Sequence, residues 1–359
     1  MKLYWSTKHN FGDSLNPWLW EKLLPGAFDE DSSELLIGIG TILNHKIPAA
    51  GHKHVFGSGC GYGWPPNVHT SDWTVHCVRG PRTAAKLGIS ADLAITDPAV
   101  LIRRFVPPSS APANGIAFIP HFESLDVGEW EIVCRLANIS FINPCDTIEN
   151  VIDKIRGSKL VVAEAMHGAI VADALRVPWI PVKPLIKKNE NKWFDWFESL
   201  GLVCQPQPLS PSSVEEALKV RYSRLREFAK EELFRRNLFD QFADKSPIHK
   251  PATSKNDAAA ATTETKITVG DRLRKLSDGV VPTLNRIIIP PVHDAISRAL
   301  RNRAAETLTR IAATEPYLSS DQTIENLTQR LEGKLALLRR QIQNRSTTPQ
   351  HLHVVGAAR

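Results

Sequence analysis

The chain has 359 residues, of which 42% are hydrophobic and 23% are charged, a balance typical of a soluble globular protein. No run reaches the roughly 18 apolar residues of a membrane-spanning helix, and the first residues lack the apolar segment of a secretory signal. The formal net charge is +6, and residues 246–359 carry 17 Lys and Arg against 10 Asp and Glu. Such a basic segment favours nucleic acid, anionic lipid or an acidic partner, although solubility alone also explains it.

Cysteine spacing and short motifs exclude several kinds of site. The five cysteines include no C-x-x-C pair, which argues against a zinc cluster or a disulfide framework and favours a reducing cytoplasm. The H-E-x-x-H, G-x-G-x-x-G and P-loop motifs are all absent. We therefore expect no bound metal, no dinucleotide and no other cofactor.

Short apolar runs alternate with helical patterns up to about residue 204. The predicted strands are 3–5, 34–39, 54–58, 74–78, 93–96, 116–120, 139–142, 160–163 and 179–182. The predicted helices are 16–24, 81–87, 128–138, 147–155, 166–175 and a longer one from 214 to about 242. This alternation is typical of parallel sheets built from strand–helix–strand units.

Composition also suggests where the chain divides. A stretch rich in Pro, Ser and Ala (105–115) separates two α/β halves. We predict an α/β protein with two Rossmann-like doubly wound domains facing each other across a cleft. The predicted segments are an N-terminal domain (1–108), a second domain (109–245), a flexible linker (246–268) and a C-terminal α-helical extension (269–359).

The extension contains two amphipathic patterns. One apolar face holds Ile296, Leu300, Ala304, Leu308 and Ile311, and a second begins at 324 after SSDQ (319–322), which resembles a capping box. These helices could form a hairpin, pack on the core or pair with another subunit.

Polar residues collect after the predicted strands, where open α/β sheets bind ligands. Asn10, Gly12 and Asp13 lie between the first strand and a helix, a position that suits an anion or a hydroxyl-rich ligand. The same pattern fits a helix cap beside a glycine turn. His121 follows another strand, where a single His is usually structural.

Two arginines and a His–Glu pair mark further strand ends. Arg79 and Arg82 stand near the start of a helix, where cations are unfavourable, so we expect an anion between them or a surface salt bridge. Glu164 and His167 lie at the turn after the apolar run 160–163. Backbone N–H groups there favour an anion, and His167 adds a donor and a proton, unless a carbonyl simply caps it.

Five blocks together resemble the polysaccharide pyruvyl transferase family. They are NFGD (10–13), VRGPRTAAKLG (78–88), ITDPAV (95–100), IPH (119–121) and EAMHGAIVADALRVP (164–178), in matching order and spacing. The Ala-Met-His-Gly form of the last block is similar to succinoglycan-type exopolysaccharide pyruvyl transferases, or ketolases. The resemblance implies a two-domain GT-B-like enzyme that moves the enolpyruvyl group of phosphoenolpyruvate onto two sugar hydroxyls as a cyclic ketal.

The resemblance also implies residue roles, with departures. The family's last block usually reads Arg-Leu-His, with Arg and His contacting the donor, but Ala165 stands in place of that Arg, and Gly80 replaces an Asp after Arg79. By this resemblance His167 binds the phosphoenolpyruvate donor and is a candidate acid. Glu164 is a candidate acid or base, or the residue that orients His167. The remaining assignments are Arg79, Arg82 and Lys192 for the donor, and Asn10, Gly12, Asp13 and His121 for the acceptor. The first domain is expected to be the acceptor side and the second domain the donor side.

The implied partners are phosphoenolpyruvate as co-substrate and a lipid-linked oligosaccharide at the inner membrane face. We expect a cytoplasmic protein whose basic extension contacts that membrane or assembly proteins, with no nucleic-acid partner. Two alternatives remain open. One is a nucleotide-sugar-dependent glycosyltransferase of the same shape, and the other is a non-catalytic scaffold of a polysaccharide assembly complex that works through its C-terminal helices.

Overall fold

A computed structural model describes residues 1–49, 51–107, 109, 115–186, 190–223 and 290–346, and it contains two four-stranded parallel sheets. The first sheet has the order β1 (Lys2–Tyr4), β2 (Glu34–Ile37), β3 (His52–Phe56), β4 (Trp73–Cys77). The second has the order β6 (Ser140–Phe141), β5 (Ile116–Ile119), β7 (Leu160–Ala163), β8 (Trp179–Pro181). The predicted α/β class with parallel sheets is confirmed.

Helices follow most of the strands. They are α1 (Phe11–Leu23), α2 (Pro81–Leu87), α3 (Phe122–Leu125), α4 (Trp130–Ala137), α5 (Ile148–Arg156), α6 (Met166–Ala174), α7 (Glu190–Ser199), α8 (214–223), α9 (Pro290–Ala312) and α10 (Asp321–Ser346). The strand predicted at 93–96 is wrong. Ser90 caps a 3-10 turn over Ala91–Leu93 there, and Ala94 forms only an isolated bridge to Val78.

Helix α1 begins five residues before its predicted start at Asn16. Proline lacks the N–H that an interior helical position needs, so Pro17 suggested the first turn of a helix. Here Pro17 lies inside the helix because the Asn16 amide donates to the Asp13 carbonyl at 3.2 Å, taking the place of the missing N–H. The true N-cap is Asn10, whose side chain accepts from the Asp13 N–H.

The largest apolar cluster joins the two sheets. It includes Leu36 and Phe56 from the first sheet and Ala117 and Val161 from the second, all fully or almost fully buried. Helix α1 packs against both α5 and α6 of the second half. The two sheets therefore share one core, and the division into two facing domains and an extension stays a prediction.

The two C-terminal helices pack on the buried apolar clusters of the α/β region, which was one of the three possibilities open to them. Leu308 of α9 lies in a cluster with Phe118 and Trp130, and Leu331 of α10 lies in the large shared cluster. Ile296, predicted on the apolar face of α9, is 41% exposed. The predicted linker at 246–268 and the helical pattern after 223 lie outside the described residues.

The connection between α9 and α10 is fixed by a buried carboxylate. Asp173 of α6 accepts hydrogen bonds from the Ser319 N–H and hydroxyl and from the Trp179 indole N–H. Tyr317 pairs with Trp179 through two backbone hydrogen bonds at the edge of the second sheet. Ser320, rather than the first serine of SSDQ, caps α10 by accepting from the Thr323 N–H at 3.0 Å.

None of the helices within the described ranges is both long and apolar enough to cross a membrane.

Two buried histidines sit side by side on the first sheet. His54 Nδ1 lies 3.1 Å from His76 Nε2, and both rings are on the same face of the sheet as Phe56. Burial, followed by neighbouring positive charges, lowers the pKa of His54 to about 4 and that of His76 to about 3. Lys334 of α10 is among the charges that act on His76.

These histidines are expected to make unfolding pH-dependent. Unfolded histidines take up protons near about pH 6.5, whereas the folded rings stay neutral down to the lower values, so the free energy of unfolding falls as pH drops below about 6.5. Replacing one of them (His76→Gln) should reduce the stability lost between about pH 7.5 and about pH 5, measured by urea unfolding. The half-exposed His293 supplies a control, His293→Gln. Equal losses of unfolding free energy over this pH range in wild type and His76→Gln would contradict a role for His76 in the pH dependence.

Candidate active site

A cleft of about 470 Å³ opens where the carboxyl ends of both sheets meet. It is lined by Tyr4, Trp5, Ser6, Lys8, Asn10, Phe11, Gly12, Asp13, Gly40, Thr41, Ile42, Asn44, Lys46, Tyr62, His121, Phe122, Pro144, Ala165, Met166, His167 and Lys192. Nearly all of these residues lie at or just after the ends of β1, β2, β3, β5, β6 and β7, and Lys192 comes from α7. The cleft therefore lies where a ligand site was expected, since ligands of parallel sheets bind beyond the carboxyl ends of the strands.

The first turn of α1 forms one wall of the cleft. Asn10 caps the helix, and its amide donates to Asp13 Oδ2 at 2.7 Å, so both side chains form a reciprocal cap while also facing the cleft. The Phe11 N–H donates to the Pro144 carbonyl at 2.6 Å, which ties this turn to the loop after β6. Asn10 and Asp13 therefore cap α1 and also line the cleft.

His167 lies in the first turn of α6 and fits against a glycine of α1. A Cβ atom on Gly12 would lie 2.1 Å from His167 Nδ1, so the imidazole needs a residue without a side chain there. His167 Nε2 points the other way and lies 3.6 Å from Asp97 Oδ2. Both of these atoms are buried and have no hydrogen-bond partner, so the imidazole and the carboxylate are each other's natural counterpart.

Asp97 is a site residue that the sequence did not single out. It is fully buried, and its other oxygen accepts from the Ala99 N–H at 3.0 Å, capping the 3-10 turn Pro98–Arg104. The Asp-Pro pair in ITDPAV indicates only a cap. Its second role depends on α6 packing against that turn, which local sequence does not reveal.

The charge balance of the cleft favours an anion. Lys8, Lys46 and Lys192 line it, whereas Asp13 is the only acidic residue among the described lining residues. Lys8 Nζ also lies 5.6 Å from the centre of the Phe122 ring. No side chain caps α6, so its first backbone N–H groups add partial positive charge beside His167.

Glu164 lies behind the cleft, fully buried at the end of β7. Its carboxylate accepts from the His121 N–H at 2.7 Å, the Ser124 hydroxyl at 2.9 Å and the Leu185 N–H at 3.0 Å. Burial raises the pKa of the Glu164 carboxyl to about 7, although these hydrogen bonds act to lower it. Within the part of the chain that the structure describes, no hydrogen bond or ion pair joins Glu164 to His167.

Arg79 lies one layer behind the cleft. Its side chain is fully buried, with Nε donating to Asp195 Oδ2 at 3.1 Å and Nη1 donating to the hydroxyl of the cleft residue Thr41 at 2.7 Å. The same Asp195 carboxylate accepts from the N–H and hydroxyl of Thr83, in the first turn of α2. The anion expected beside Arg79 is thus a carboxylate from α7.

The Arg82 guanidinium also binds a carboxylate of α7, in this case at the surface. Its guanidinium donates to Glu198 Oε1 at 2.7 and 2.9 Å and to Asn191 Oδ1 at 3.2 Å, and it lies over the Phe194 ring. This is the surface salt bridge that the sequence left open as an alternative. Of the nine site residues predicted from sequence, Asn10, Gly12, Asp13, His121, His167 and Lys192 line the cleft, whereas Glu164, Arg79 and Arg82 lie outside it.

No three His, Cys, Asp or Glu side chains among the described residues come together in a way that could hold a metal ion.

Comparison with known proteins identifies the family. The sequence model of the polysaccharide pyruvyl transferase family matches residues 67–184, which include Asp97, His121, Glu164 and His167. The succinoglycan biosynthesis protein ExoV of Rhizobium meliloti (strain 1021) is 43% identical over 221 residues, covering 60% of this chain and 69% of that protein. The chain belongs to the polysaccharide pyruvyl transferase family. No solved structure matches it significantly.

The buried ion pair between Arg79 and Asp195 should contribute strongly to the stability of this pyruvyl transferase family protein. Asp195→Asn would leave the Arg79 guanidinium buried without a counter-charge, and breaking such a pair costs about 3–5 kcal/mol. Glu198→Gln provides a matched control on the same helix, because the exposed pair with Arg82 is worth about 1 kcal/mol or less. Denaturant unfolding measures both. Equal losses of unfolding free energy in the two variants would show that the buried pair stabilises the fold no more than the exposed pair does.

Proposed function

We propose that the protein uses phosphoenolpyruvate to place a cyclic pyruvate ketal on a sugar of a lipid-linked exopolysaccharide precursor. Family membership supports pyruvyl transfer, and the name of the relative from Rhizobium meliloti suggests exopolysaccharide synthesis as the setting. The observation that carries the chemistry is the placement of His167 between the first turn of α1 and the buried Asp97, in a cleft lined by lysines.

The charges of the cleft suit phosphoenolpyruvate, which carries about three negative charges near neutral pH and needs cations and helix N-termini. Lys8, Lys46, Lys192 and the uncapped start of α6 provide these. The lysines also compensate for Ala165, which stands where the family usually has an arginine. In this proposal Arg79 and Arg82 act indirectly, because their guanidinium groups already bind carboxylates of α7.

The reaction requires a proton donor and a base. A proton adds to the methylene carbon of phosphoenolpyruvate, giving a methyl group and a cationic C2. One sugar hydroxyl attacks C2, the bond from C2 to the phosphate oxygen breaks, and the second hydroxyl closes the ketal. The two hydroxyl protons are both accounted for. One replaces the proton that the acid gave to the methylene carbon, and the other leaves with inorganic phosphate. Groups that move these protons must reach both the donor and the sugar.

In this proposal His167 serves as the acid and as a ligand of phosphoenolpyruvate. Its Nε2 lies 3.6 Å from the Asp97 carboxylate, and its Nδ1 side packs against Gly12. Glu164 acts as a positioning residue, because it holds the His121 backbone from behind. His121, Asn10, Gly12 and Asp13 are proposed to face the acceptor sugar.

Phosphate release tests the reaction class. The purified protein should release phosphate from phosphoenolpyruvate only with an extract of lipid-linked oligosaccharides, and His167→Ala should lower the rate by at least about a hundredfold, a typical loss for a proton-transfer group. His293→Ala, a change on the distant α9, should retain wild-type turnover. No release, combined with a thermal shift on adding a nucleotide sugar, would favour a glycosyltransferase instead.

Steady-state kinetics tests the link between Asp97 and His167. Asp97→Asn keeps an oxygen for the Ala99 N–H but removes the negative charge beside His167. The imidazole then loses its buried counter-charge, so kcat should fall by about tenfold or more while the KM for phosphoenolpyruvate changes little. Asp97→Ala, which also loses the cap, should in addition lower the thermal midpoint. An unchanged kcat in Asp97→Asn would leave Asp97 with only a structural role.

A further inference from the structure

The loops that follow β2 and β3 form a rigid rim on one side of the cleft. Backbone hydrogen bonds join them from Gly59 N–H to the Gly40 carbonyl at 2.9 Å and from Leu43 N–H to the Gly59 carbonyl at 3.2 Å. A third runs from His45 N–H to the Trp64 carbonyl at 2.9 Å. These three hydrogen bonds tie the two loops to each other along the rim.

The rim presents two aromatic side chains. Tyr62 lines the cleft and is 44% exposed, and Trp64 is 78% exposed. Between them Gly63 has a φ of +70° and packs against the His45 ring, so that a Cβ at Gly63 would lie 2.6 Å from His45 Cε1. Trp64 does not itself line the cleft. Its carbonyl accepts from the His45 N–H, and the neighbours of His45 on the facing loop, Asn44 and Lys46, are lining residues, so the backbone of Trp64 lies next to the cleft lining.

Trp64 differs from the other tryptophans of the protein. The remaining eight are buried or half-buried, and five of them are at most 1% exposed. A single exposed apolar residue needs no explanation. Trp64 is unusual for two reasons. Its carbonyl is hydrogen-bonded to the facing loop while its ring lies outside the core, and Tyr62 of the same turn lines the cleft.

We propose that Tyr62 and Trp64 form a stacking subsite for the sugar unit of the acceptor that adjoins the unit receiving pyruvate. One face of a pyranose ring presents C–H groups that carry partial positive charge, and the face of an aromatic ring is negative. A rigid aromatic platform binds such a ring with little loss of conformational freedom. The proposal rests on the proposed function and adds to it a binding site for a second sugar unit of the acceptor.

The surroundings favour a saccharide over a protein partner. Two exposed aromatic rings stand here beside Asn44 and Lys46 of the facing loop, which supply polar groups. A protein interface needs a much larger patch with apolar residues at its centre. A sugar chain instead combines one stacking face with a ring of hydroxyl groups, which matches two aromatic rings beside amide and ammonium groups.

Fluorescence quenching tests the subsite without any catalysis. Acrylamide should quench Trp64 more than the other tryptophans, and the difference between wild type and Trp64→Phe isolates its signal. The probes are glucose, galactose and neutral gluco- and galacto-oligosaccharides of two to six units. We expect these oligosaccharides to protect Trp64 from acrylamide, with protection increasing with chain length. Absence of protection by every saccharide, or protection by uridine diphosphate alone, would overturn the proposal.

Steady-state kinetics provides the second measurement. Trp64→Ala should raise the KM for a lipid-linked oligosaccharide about tenfold, which corresponds to about 1.4 kcal/mol of binding, with kcat nearly unchanged. Trp64→Phe should recover most of the affinity. Phe105→Ala removes another exposed aromatic residue, at the end of the 3-10 turn Pro98–Arg104 and outside the loops that follow β2 and β3, and should leave KM unchanged. An unchanged KM in Trp64→Ala would overturn the subsite, whereas saccharide protection without any phosphate release would refute the proposed reaction alone.

Discussion

The cleft depends on one buried carboxylate that binds across the two halves of the chain. Asp195 of α7 accepts hydrogen bonds from Arg79 and from both the N–H and the hydroxyl of Thr83. A buried charge is tolerated only when it is paired and hydrogen-bonded, so these contacts fix α7 against α2. The same helix carries Lys192, which lines the cleft, and Arg79 donates to the hydroxyl of Thr41, another lining residue. One buried network thus connects two parts of the cleft lining.

The chemistry depends on a second close contact, between α1 and α6. His167 occupies the space that a side chain at residue 12 would fill, and Asp97 closes the other side of the imidazole. The first turn of α1 can serve this purpose because its own N–H groups are satisfied by Asn10 and by the Pro144 carbonyl. The ring is therefore held in place by packing on one side and by a carboxylate on the other.

Sequence reasoning succeeded where the determinants are local. The fully apolar run 160–163 predicts a buried parallel strand, and the strand-end rule then places His167 and His121 beside the cleft. It could not identify the partner of Arg79, because Asp195 lies 116 residues away on a helix that was not predicted. The two arginines correctly indicated an anion. Whether that anion is a ligand or a side chain depends on tertiary packing.

The basic C-terminal segment shows the same dependence on tertiary packing. Several of its arginines bind groups of the α/β core. Arg301 pairs with Glu129, Arg330 donates to the Asp92 carbonyl, and Arg339 donates twice to the carbonyl of Leu23 at the end of α1. A positive side chain is favourable at the carboxyl end of a helix, so the contact with Leu23 also stabilises α1. Part of the basic excess therefore anchors α9 and α10 to both sheets, a role that net charge alone could not indicate.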